Sequence, residues 1–416
     1  MSLPDFDLVI LGAGPAGCTL ALKLAPLGIR IAIFEKDIFP REKICGDALS
    51  GKVMNVLKRL PGDAYGDFLR EVEKVPSRGI RFVAPNLKVA DIPFSLHDTP
   101  EQPAPGYICT RSNFDTFLFN RLRTYSNIEI FQGEKAIRAE PVDDGIQVYS
   151  ETRRVWGRLL AGADGAHSLV RKFIHPEVAG KKHFCVGIRA YFDNVTNLHP
   201  ENFIELIFLK TLLPGYFWIF PSAGGRVNAG LGLRQDTLPG RKENMSALFI
   251  RLIKNDPFLA PRFKNASQIS KAEAHILPLG TYHLRRSGNR ALLLGDAAFL
   301  VDPFSGEGIG NAMASGEIAA DIFLQCFNAG LFTDTLLQNY DLRIQRRFSN
   351  EFRTSAMIQK LANSSLLFNF VVNKARKNSE IRNMLTAMFS NENLRKSLVR
   401  PGFYLRGMVG GVMSDE

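Results

Sequence analysis

The sequence contains few cysteines, and they form no recognisable pair. The five lie far apart, at Cys18, Cys45, Cys109, Cys185 and Cys326, without a CxxC spacing. An odd, scattered set is typical of a reducing compartment and argues against a disulfide framework or a cysteine zinc site. The seven histidines show no HExxH or other ligand spacing, so the sequence predicts no metal centre.

Long apolar runs are absent as well. The longest candidate towards the C-terminus, residues 366–372, is far shorter than the ~18–20 residues that a membrane-spanning helix needs. The N-terminus leads directly into an apolar strand and has no pattern of a signal peptide. No motif of a nucleic-acid-binding module occurs, so we expect no nucleic-acid partner. Together these absences predict a cytoplasmic protein.

Charge and aromatic content each allow two interpretations. The net charge is +11, and residues 346–416 hold 12 Lys and Arg against 5 Asp and Glu. This basic region is either the solvated face of a helical cap or a peripheral contact with the anionic inner face of a membrane. The 31 phenylalanines, beside 9 Tyr and 2 Trp, indicate either a Phe-rich core or an apolar tunnel for a long hydrocarbon.

A chain of 416 residues is long for one hydrophobic core, and two packed lobes are expected. Buried strands that alternate with helical patterns predict an α/β fold with a Rossmann-like, parallel-sheet lobe. The strand-rich segments between them predict an inserted antiparallel sheet over a pocket. The predicted boundaries are 1–75, 105–180 and 272–345 for the first lobe, 76–104 and 181–271 for the substrate lobe, and 346–416 for a C-terminal helical region.

A glycine-rich turn joins the first predicted strand to the first predicted helix. It reads GAGPAG over residues 12–17, and Glu35 ends the next strand. Gly12 permits a tight turn, Gly14 lets the backbone approach a pyrophosphate, and Gly17 lets helix and strand pack closely. The pyrophosphate would lie at the helix N-terminus, where free N–H groups and the helix dipole favour negative charge. Because Glu35 could accept hydrogen bonds from ribose hydroxyl groups, the segment predicts a dinucleotide site.

Two Gly-Asp turns follow later apolar strands. The first lies in residues 161–168 (AGADGAHS); the second lies in 294–298 (LGDAA) and is followed by GEGIG at 306–310. Each segment alone is a common structural feature. Their order after the glycine-rich turn resembles the FAD-dependent hydroxylase-type superfamily, which has a glutathione-reductase-like flavin fold. The resemblance covers roughly residues 5–345.

This resemblance implies that FAD is the cofactor and assigns residues to it. Asp296 would bind the ribitol chain, and the helix that begins at Gly308 and Ile309 would stabilise negative charge on the flavin. Asp164 and Gly165 would organise the flavin site and access for a nicotinamide. The other residues assigned to FAD are Ala16, Lys36, Cys45, Gly46, Ala48, Arg111 and Ala136.

A narrower resemblance is to the geranylgeranyl reductase family. Residues 43–50 (KICGDALS) are similar to its (K/R)xCGxxLS segment, and residues 216–221 (YFWIFP) match its YxWxFP motif. By this resemblance Cys45 lies beside the flavin, and its basic neighbours favour a lowered pKa of the thiol. Tyr216, Trp218 and Phe220 would share one strand face and line the site of a polyprenyl chain.

The resemblance implies an FAD-dependent oxidoreductase, and three functions stay open. The first is reduction of C=C bonds in a geranylgeranyl-type lipid or quinone side chain by hydride from reduced flavin, with Cys45 as proton donor or relay. The second is a monooxygenase or halogenase, although Tyr216 and Phe220 depart from the halogenase WxWxIP motif. The third is a membrane-associated electron-transfer flavoprotein. One dinucleotide unit is found, so the electron donor is either NAD(P)H bound transiently or a ferredoxin-like protein.

Overall fold

The structure is a computed structural model that describes residues 4–95, 99, 101–240, 243–379, 382 and 386. Its strands are β1 (Phe6–Leu11), β2 (Ile31–Glu35), β3 (Ala48–Leu49), β4 (Val75–Ser77), β5 (Gly79–Val83), β6 (Val89–Pro93), β7 (Gly106–Ile108), β8 (Ile128–Gln132), β9 (Arg138–Val142), β10 (Gly145–Tyr149), β11 (Arg154–Gly162), β12 (Phe184–Asp193), β13 (Ile204–Ile207), β14 (Tyr216–Pro221), β15 (Val227–Arg234), β16 (Ser267–Gln268), β17 (Glu273–Pro278), β18 (Ser287–Gly288) and β19 (Ala291–Leu293). Its α-helices are α1 (Pro15–Leu24), α2 (Gly51–Leu57), α3 (Ala64–Glu71), α4 (Arg111–Leu122), α5 (Leu169–Ile174), α6 (Met245–Asn255), α7 (Ala260–Phe263), α8 (Ile309–Ala329), α9 (Asp334–Ala362) and α10 (Ser365–Lys377).

The first sheet forms the Rossmann-like lobe. Its order is β18–β19–β11–β1–β2–β8, and β10 and β9 extend it from β11. β1 pairs in parallel with both β2 and β11, and β2 pairs in parallel with β8. Residues 7–11 of β1 are all buried, as expected for a parallel strand that is covered on both faces. The predicted α/β fold class is confirmed.

The second sheet is mainly antiparallel, as predicted, but contains one parallel pair. Its order is β16–β12–β15–β14–β13–β5–β6, and β17 extends it from β12. β15 is antiparallel to both β12 and β14, whereas β13 and β5 run parallel. On one side of β14, Phe217 and Ile219 are fully buried in a core with Phe249 on α6 and Phe263 on α7. The other side of β14 is left for the site described below.

Helices α9 and α10 confirm the predicted helical character of the C-terminal region as far as residue 377. Within the predicted region 346–416, residues 380–381, 383–385 and 387–416 lie outside the described residues. The domain boundaries themselves stay predictions. In the described ranges, no helix combines the length and apolar character needed to cross a membrane. The same ranges hold no group of three or more His, Cys, Asp or Glu side chains that could bind a metal ion.

Candidate active site

The glycine-rich turn forms a tight backbone cradle between β1 and α1. Gly12 has a φ of +97°, and a Cβ atom there would lie 2.4 Å from the carbonyl oxygen of Ala163. A Cβ on Gly17 would lie 2.1 Å from the carbonyl oxygen of Gly12. Neither position therefore accepts a side chain. At Gly14, which precedes α1, a Cβ would meet only Arg41 within 4 Å, so this face of the turn is open to a ligand.

Glu35 is buried at the end of β2 and contacts this cradle. Its Oε2 accepts a hydrogen bond from the backbone N–H of Ala13 at 2.8 Å. The loop that carries Ala136 runs beside it, because the N–H of Glu134 donates to the carbonyl oxygen of Glu35 at 3.0 Å. Lys36, by contrast, points its side chain away from the core and is 66% exposed. The position of the acid fits the ribose of a dinucleotide.

Two arginines share one carboxylate next to the cradle. Arg111 donates to Asp115 from Nε at 2.8 Å and from Nη2 at 2.6 Å, and Arg41 Nη1 lies 2.9 Å from Asp115 Oδ2. Each of the three side chains is at most 10% exposed. Arg41 Nη2 also lies 3.8 Å from the Cβ position of Gly14. The surplus positive charge suits an anionic diphosphate, and sequence reasoning assigned Arg111 to the cofactor but missed Arg41.

Asp164 and Gly165 support the cradle where β11 ends. Oδ2 of Asp164 accepts a hydrogen bond from the N–H of Leu169 at 2.6 Å, which fixes the start of α5. Its Oδ1 is buried and has no hydrogen-bond partner among the described residues. Burial raises the pKa of this carboxyl. Gly165 has a φ of +77°, which glycine adopts without strain.

Asp296 and the N-terminus of α8 lie across the site. Asp296 is in a 3-10 turn after β19, and its Oδ2 lies 3.5 Å from Nζ of Lys43. Burial alone would raise the pKa of Asp296, but Lys43, His275 and Arg111 together outweigh it and hold the pKa below its ordinary value. α8 begins at Ile309, directly after Gly308, and runs for 21 residues. Its dipole favours negative charge at this end.

A continuous cavity of about 660 Å³ leads from Asp296 to the second sheet. The predicted site residues that line it are Cys45, Gly46, Ala48, Arg111, Tyr216, Trp218, Phe220, Asp296, Gly308 and Ile309. The predicted site residues outside its lining are Gly12, Gly14, Ala16, Gly17, Glu35, Lys36, Ala136, Asp164 and Gly165. Its apolar end is lined by Ile80, Phe82, Ile92, Leu206, Phe368 and Val372. The structure thus separates a nucleotide cradle from a cavity with a polar and an apolar end.

Strand β14 gives this cavity an aromatic wall. Tyr216, Trp218 and Phe220 line it and alternate with the core residues of the same strand, as a period of two predicts. The ring centroids of Trp218 and Phe220 are 6.3 Å apart. Tyr216 donates a hydrogen bond from its hydroxyl to the carbonyl oxygen of Ser305 at 2.8 Å, which ties the wall to the loop before α8.

The indole ring of Trp218 packs against three glycines, which we call the glycine shelf. A Cβ on Gly230 would lie 2.3 Å from the ring, and those on Gly187 and Gly232 would lie 3.6 and 3.8 Å from it. These glycines are on β12 and β15. A side chain at Gly230 would displace the indole, so the wall depends on that glycine as well as on the aromatic residues.

A buried polar cluster beside the wall was missed by sequence reasoning. Oδ2 of Asp47 accepts hydrogen bonds from the Tyr191 hydroxyl at 2.5 Å and from Asn228 Nδ2 at 2.8 Å. Oδ1 of Asn228 accepts one from Trp218 Nε1 at 3.0 Å. The guanidinium of Arg189 lies 4.5 Å from the ring centroid of Tyr191. Asp47 is fully buried, lines the cavity and has a φ of +68°.

The sequence contained signals for this cluster. Arg189 and Tyr191 alternate with apolar residues on β12, and Asn228 interrupts the apolar and glycine residues of β15. A polar side chain on a core strand needs a hydrogen-bond partner when it is buried. Three such residues on two neighbouring strands therefore indicated a shared polar partner, and Asp47 lies within the motif around Cys45.

Burial is the largest cause of the pKa shifts of three groups around the cavity. It raises the pKa of Asp47 to about 6, although the hydrogen bonds from Tyr191 and Asn228 lower it. It also raises the pKa of the Cys45 thiol: Arg111 and Lys43 lower this pKa, as expected of basic neighbours, but burial outweighs them. For His275, which lines the cavity from β17, burial lowers the pKa to about 4. Near neutral pH, Cys45 therefore keeps its proton and His275 is uncharged.

Comparisons with known proteins bear on this site. A family model described as FAD binding domain matches residues 5–347. Conditioned medium factor receptor 1 of Dictyostelium discoideum is 26% identical over 84% of this chain and 69% of its own. Menaquinone reductase of Mycobacterium tuberculosis is 28% identical over 82% of each chain. Digeranylgeranylglycerophospholipid reductase of Methanococcus vannielii is 24% identical over 87% of this chain and 89% of its own.

Two solved structures share the fold. A geranylgeranyl bacteriochlorophyll reductase-like protein from Thermoplasma acidophilum aligns with a TM-score of 0.79 and 20% identity, over 94% of this chain and 98% of its own. A variant of the halogenase PltM in complex with FAD aligns with a TM-score of 0.75 and 16% identity, over 97% of this chain and 85% of its own. At these identities the likeness concerns the fold alone.

Proposed function

The chain belongs to the FAD-binding domain family and is an FAD-dependent oxidoreductase, and on that premise we propose that it reduces carbon–carbon double bonds of a polyprenyl lipid. The observation that carries the proposal is the cavity, which extends from the residues assigned to the flavin to a hydrophobic cluster that includes Phe82, Leu206 and Phe368. Relatives named for a menaquinone and for a digeranylgeranyl phospholipid support the same substrate class.

We assign FAD to the cradle and to the polar end of the cavity. Gly14 and Arg41 would hold the diphosphate, Glu35 the adenosine ribose, and Asp296 the ribitol chain. The unpartnered Oδ1 of Asp164 and the open face of the turn fit this group. When bound and reduced, FAD supplies a hydride.

The apolar end of the cavity suits a hydrocarbon chain. Burial of apolar surface stabilises such a ligand by about 25 cal/mol for each Å² removed from water. A chain with many double bonds and few polar groups would leave no polar atom unpaired among Phe82, Leu206 and Phe368. A small hydrophilic substrate would gain nothing from this part of the cavity.

Reduction of an isolated double bond requires tight positioning, because such a bond is a poor electrophile. The aromatic wall of Trp218 and Phe220 would hold the chain and exclude water from the reacting carbons. A proton must reach one carbon while the hydride reaches the other. Cys45 lines the cavity with its thiol protonated and stays a predicted proton donor or relay.

Geranylgeraniol tests the proposed reaction without a redox-active head group. The dithionite-reduced protein, mixed anaerobically with geranylgeraniol, should be reoxidised, and the product should gain two hydrogen atoms in its mass. The fully saturated C20 alcohol is the matched control and should leave the flavin reduced. Substrate-stimulated oxygen uptake without alkene reduction would instead indicate a monooxygenase. Reoxidation with no change in any lipid's mass would indicate an electron-transfer flavoprotein.

We also propose that α10 contacts the cytoplasmic surface of an anionic membrane. Leu366, Leu367 and Phe370 are 80%, 50% and 49% exposed on this helix, and its last turn carries three basic residues. Phe368 of the same helix lines the apolar end of the cavity, so a lipid tail could enter from the bilayer. Apolar exposure beside basic charge is the pattern of a helix that lies on anionic lipid.

Liposome sedimentation tests this contact. Wild-type protein should bind vesicles that contain phosphatidylglycerol and should dissociate as salt rises, and Leu366→Ser with Phe370→Ser should weaken binding about tenfold or more. Leu331→Ser is a matched control, because Leu331 is 56% exposed outside this helix. Equal binding by all variants would contradict the contact.

Flavin reduction by NADPH or by reduced ferredoxin separates the two proposed donor classes.

A further inference from the structure

Among the described residues, only one of the two carboxyl oxygens of Asp47 accepts hydrogen bonds. Its Oδ2 accepts two hydrogen bonds, from Tyr191 and Asn228, whereas its buried Oδ1 has no hydrogen-bond partner among the described residues. A neutral carboxyl carries its proton on the oxygen that is not already accepting hydrogen bonds. The cluster therefore places the acidic hydrogen of neutral Asp47 on Oδ1, in a residue that lines the cavity.

We propose that the carboxyl of Asp47 donates the proton that completes reduction of the substrate double bond. This inference deepens the proposed function and rests on it. The carboxyl is held in place by a chain of hydrogen bonds that ends on the aromatic wall, because Asn228 links it to Trp218 Nε1. The same indole that would position the prenyl chain thus also fixes the acid.

The reaction balances with this acid. The π bond of the alkene breaks, one carbon gains hydride from reduced FAD, and the other gains the Oδ1 proton of Asp47. FAD is left oxidised and Asp47 is left as a carboxylate. A proton from solvent restores the acid, and two electrons from a nicotinamide or ferredoxin-class donor restore the reduced cofactor.

The charges around Asp47 support its role as an acid. Burial raises its pKa to about 6, while Tyr191, Asn228, Arg189 and Arg111 lower it. An apolar chain in the cavity would strengthen the desolvation and favour the neutral form further. By contrast, burial raises the pKa of Cys45 above the already high value of a thiol, which makes it the weaker acid.

Three substitutions test the assignment in the FAD-loaded protein. Asp47→Asn keeps the size of the side chain and removes the acid; Cys45→Ser removes the competing thiol. Asp144→Asn is the matched control, because Asp144 also has a positive φ, of +51°, and is exposed on a turn. FAD content and the rate of flavin reduction by dithionite should be the same in Asp47→Asn, in Asp144→Asn and in wild type.

The decisive measurement is single-turnover reoxidation by geranylgeraniol. Asp47→Asn should slow it about 100-fold or more, the usual contribution of a general acid. Cys45→Ser should slow it less than Asp47→Asn does, and Asp144→Asn, which lies outside the cavity lining, should stay within about threefold of wild type. The wild-type rate should fall as pH rises through the pKa of Asp47, and Asp47→Asn should lose this dependence. Tyr191→Phe removes a hydrogen bond that lowers this pKa, so it should move the falling limb to higher pH.

An infrared titration adds a readout that does not depend on turnover. Wild-type protein should show a protonated-carboxyl band that disappears as pH rises and that is missing in Asp47→Asn. If reoxidation is fast in Asp47→Asn and slow in Cys45→Ser, the proton comes from Cys45. That result would overturn the role of Asp47 but not the proposed function. Absence of turnover with wild type would overturn the proposed function and, with it, the role of Asp47.

Discussion

The nucleotide cradle and the cavity beside it are built from different parts of the chain. The cradle is made mainly of backbone between Gly12 and Glu35. Carbonyl oxygens lie so close to Gly12 and Gly17 that neither position has room for a side chain. The cavity is made of residues from the second sheet, from the short strands β3, β4 and β7, from the Cys45 loop and from helices α8, α9 and α10. Damage to the cradle should therefore abolish cofactor binding, whereas damage to the aromatic wall or the apolar end of the cavity should spare the cofactor and change the reaction.

The largest effect is expected in the cradle. Gly17→Val places a branched side chain where a Cβ already lies 2.1 Å from the carbonyl oxygen of Gly12. Because backbone must move, we expect the free energy of unfolding to fall by more than about 3 kcal/mol and the protein to purify without FAD. Urea unfolding measures the free energy of unfolding, and the flavin absorbance measures the bound FAD. Gly28→Ala is the control, since no atom lies within 4 Å of its Cβ position and only its φ of +74° opposes the change, at about 1 kcal/mol. A yellow, stable Gly17→Val protein would contradict this account of the cradle.

The next effect is a pH dependence of the free energy of unfolding, which we expect from Asp47 in the lining of the cavity. The folded pKa of Asp47 is raised from 3.8 to about 6, so the neutral form favours folding at low pH and this contribution is lost as pH rises. Asp47→Asn should therefore gain stability relative to wild type between pH 4 and pH 8, by up to about 3 kcal/mol. Urea unfolding at the two pH values gives the difference. A pH-independent difference would mean that Asp47 is ionised in the folded protein throughout.

A smaller effect is expected at the aromatic wall. Trp218→Ala removes the ring from the glycine shelf and the hydrogen bond that Asn228 accepts. We expect binding of a C20 prenyl alcohol to weaken by about 2 kcal/mol, or roughly 30-fold in Kd, with FAD content unchanged. Isothermal titration of the FAD-loaded protein measures the affinity. Loss of FAD from this variant would show that the two regions are not separable.

The smallest effect is expected at Lys36, which the family resemblance assigns to the cofactor. Its side chain is 66% exposed, and its Nζ lies 3.9 Å from the partly exposed carboxylate of Asp37. Lys36→Ala should change FAD affinity by less than about 0.5 kcal/mol, because exposed charges are screened by water and salt. A fluorescence titration of FAD measures it. A loss of tenfold or more would place Lys36 in direct contact with the cofactor.

The two regions also differed in how far the sequence predicted them. The cradle was predictable because Gly12, Gly17 and Glu35 act within one strand–helix–strand segment, where spacing alone sets geometry. The alternation of β14 predicted for the same local reason that Tyr216, Trp218 and Phe220 share one face, whereas the family resemblance implied that this face lines the substrate site. The Asp47 cluster was not predicted, because Tyr191 and Asn228 lie 144 and 181 residues away along the chain. Polar residues on core strands signalled that a partner was needed, but sequence spacing does not identify it, because the pairing of β12 with β15 is what sets Tyr191 opposite Asn228.

The glycine shelf also gives the protein an internal optical reporter. The chain has two tryptophans, Trp218 on the shelf and Trp156 on β11 of the other large sheet. Backbone packing fixes the indole of Trp218 on one side, so its fluorescence should respond to what enters the cavity rather than to rotation of the ring itself. With Trp156→Phe, the remaining emission would record occupancy by a saturated chain that cannot react.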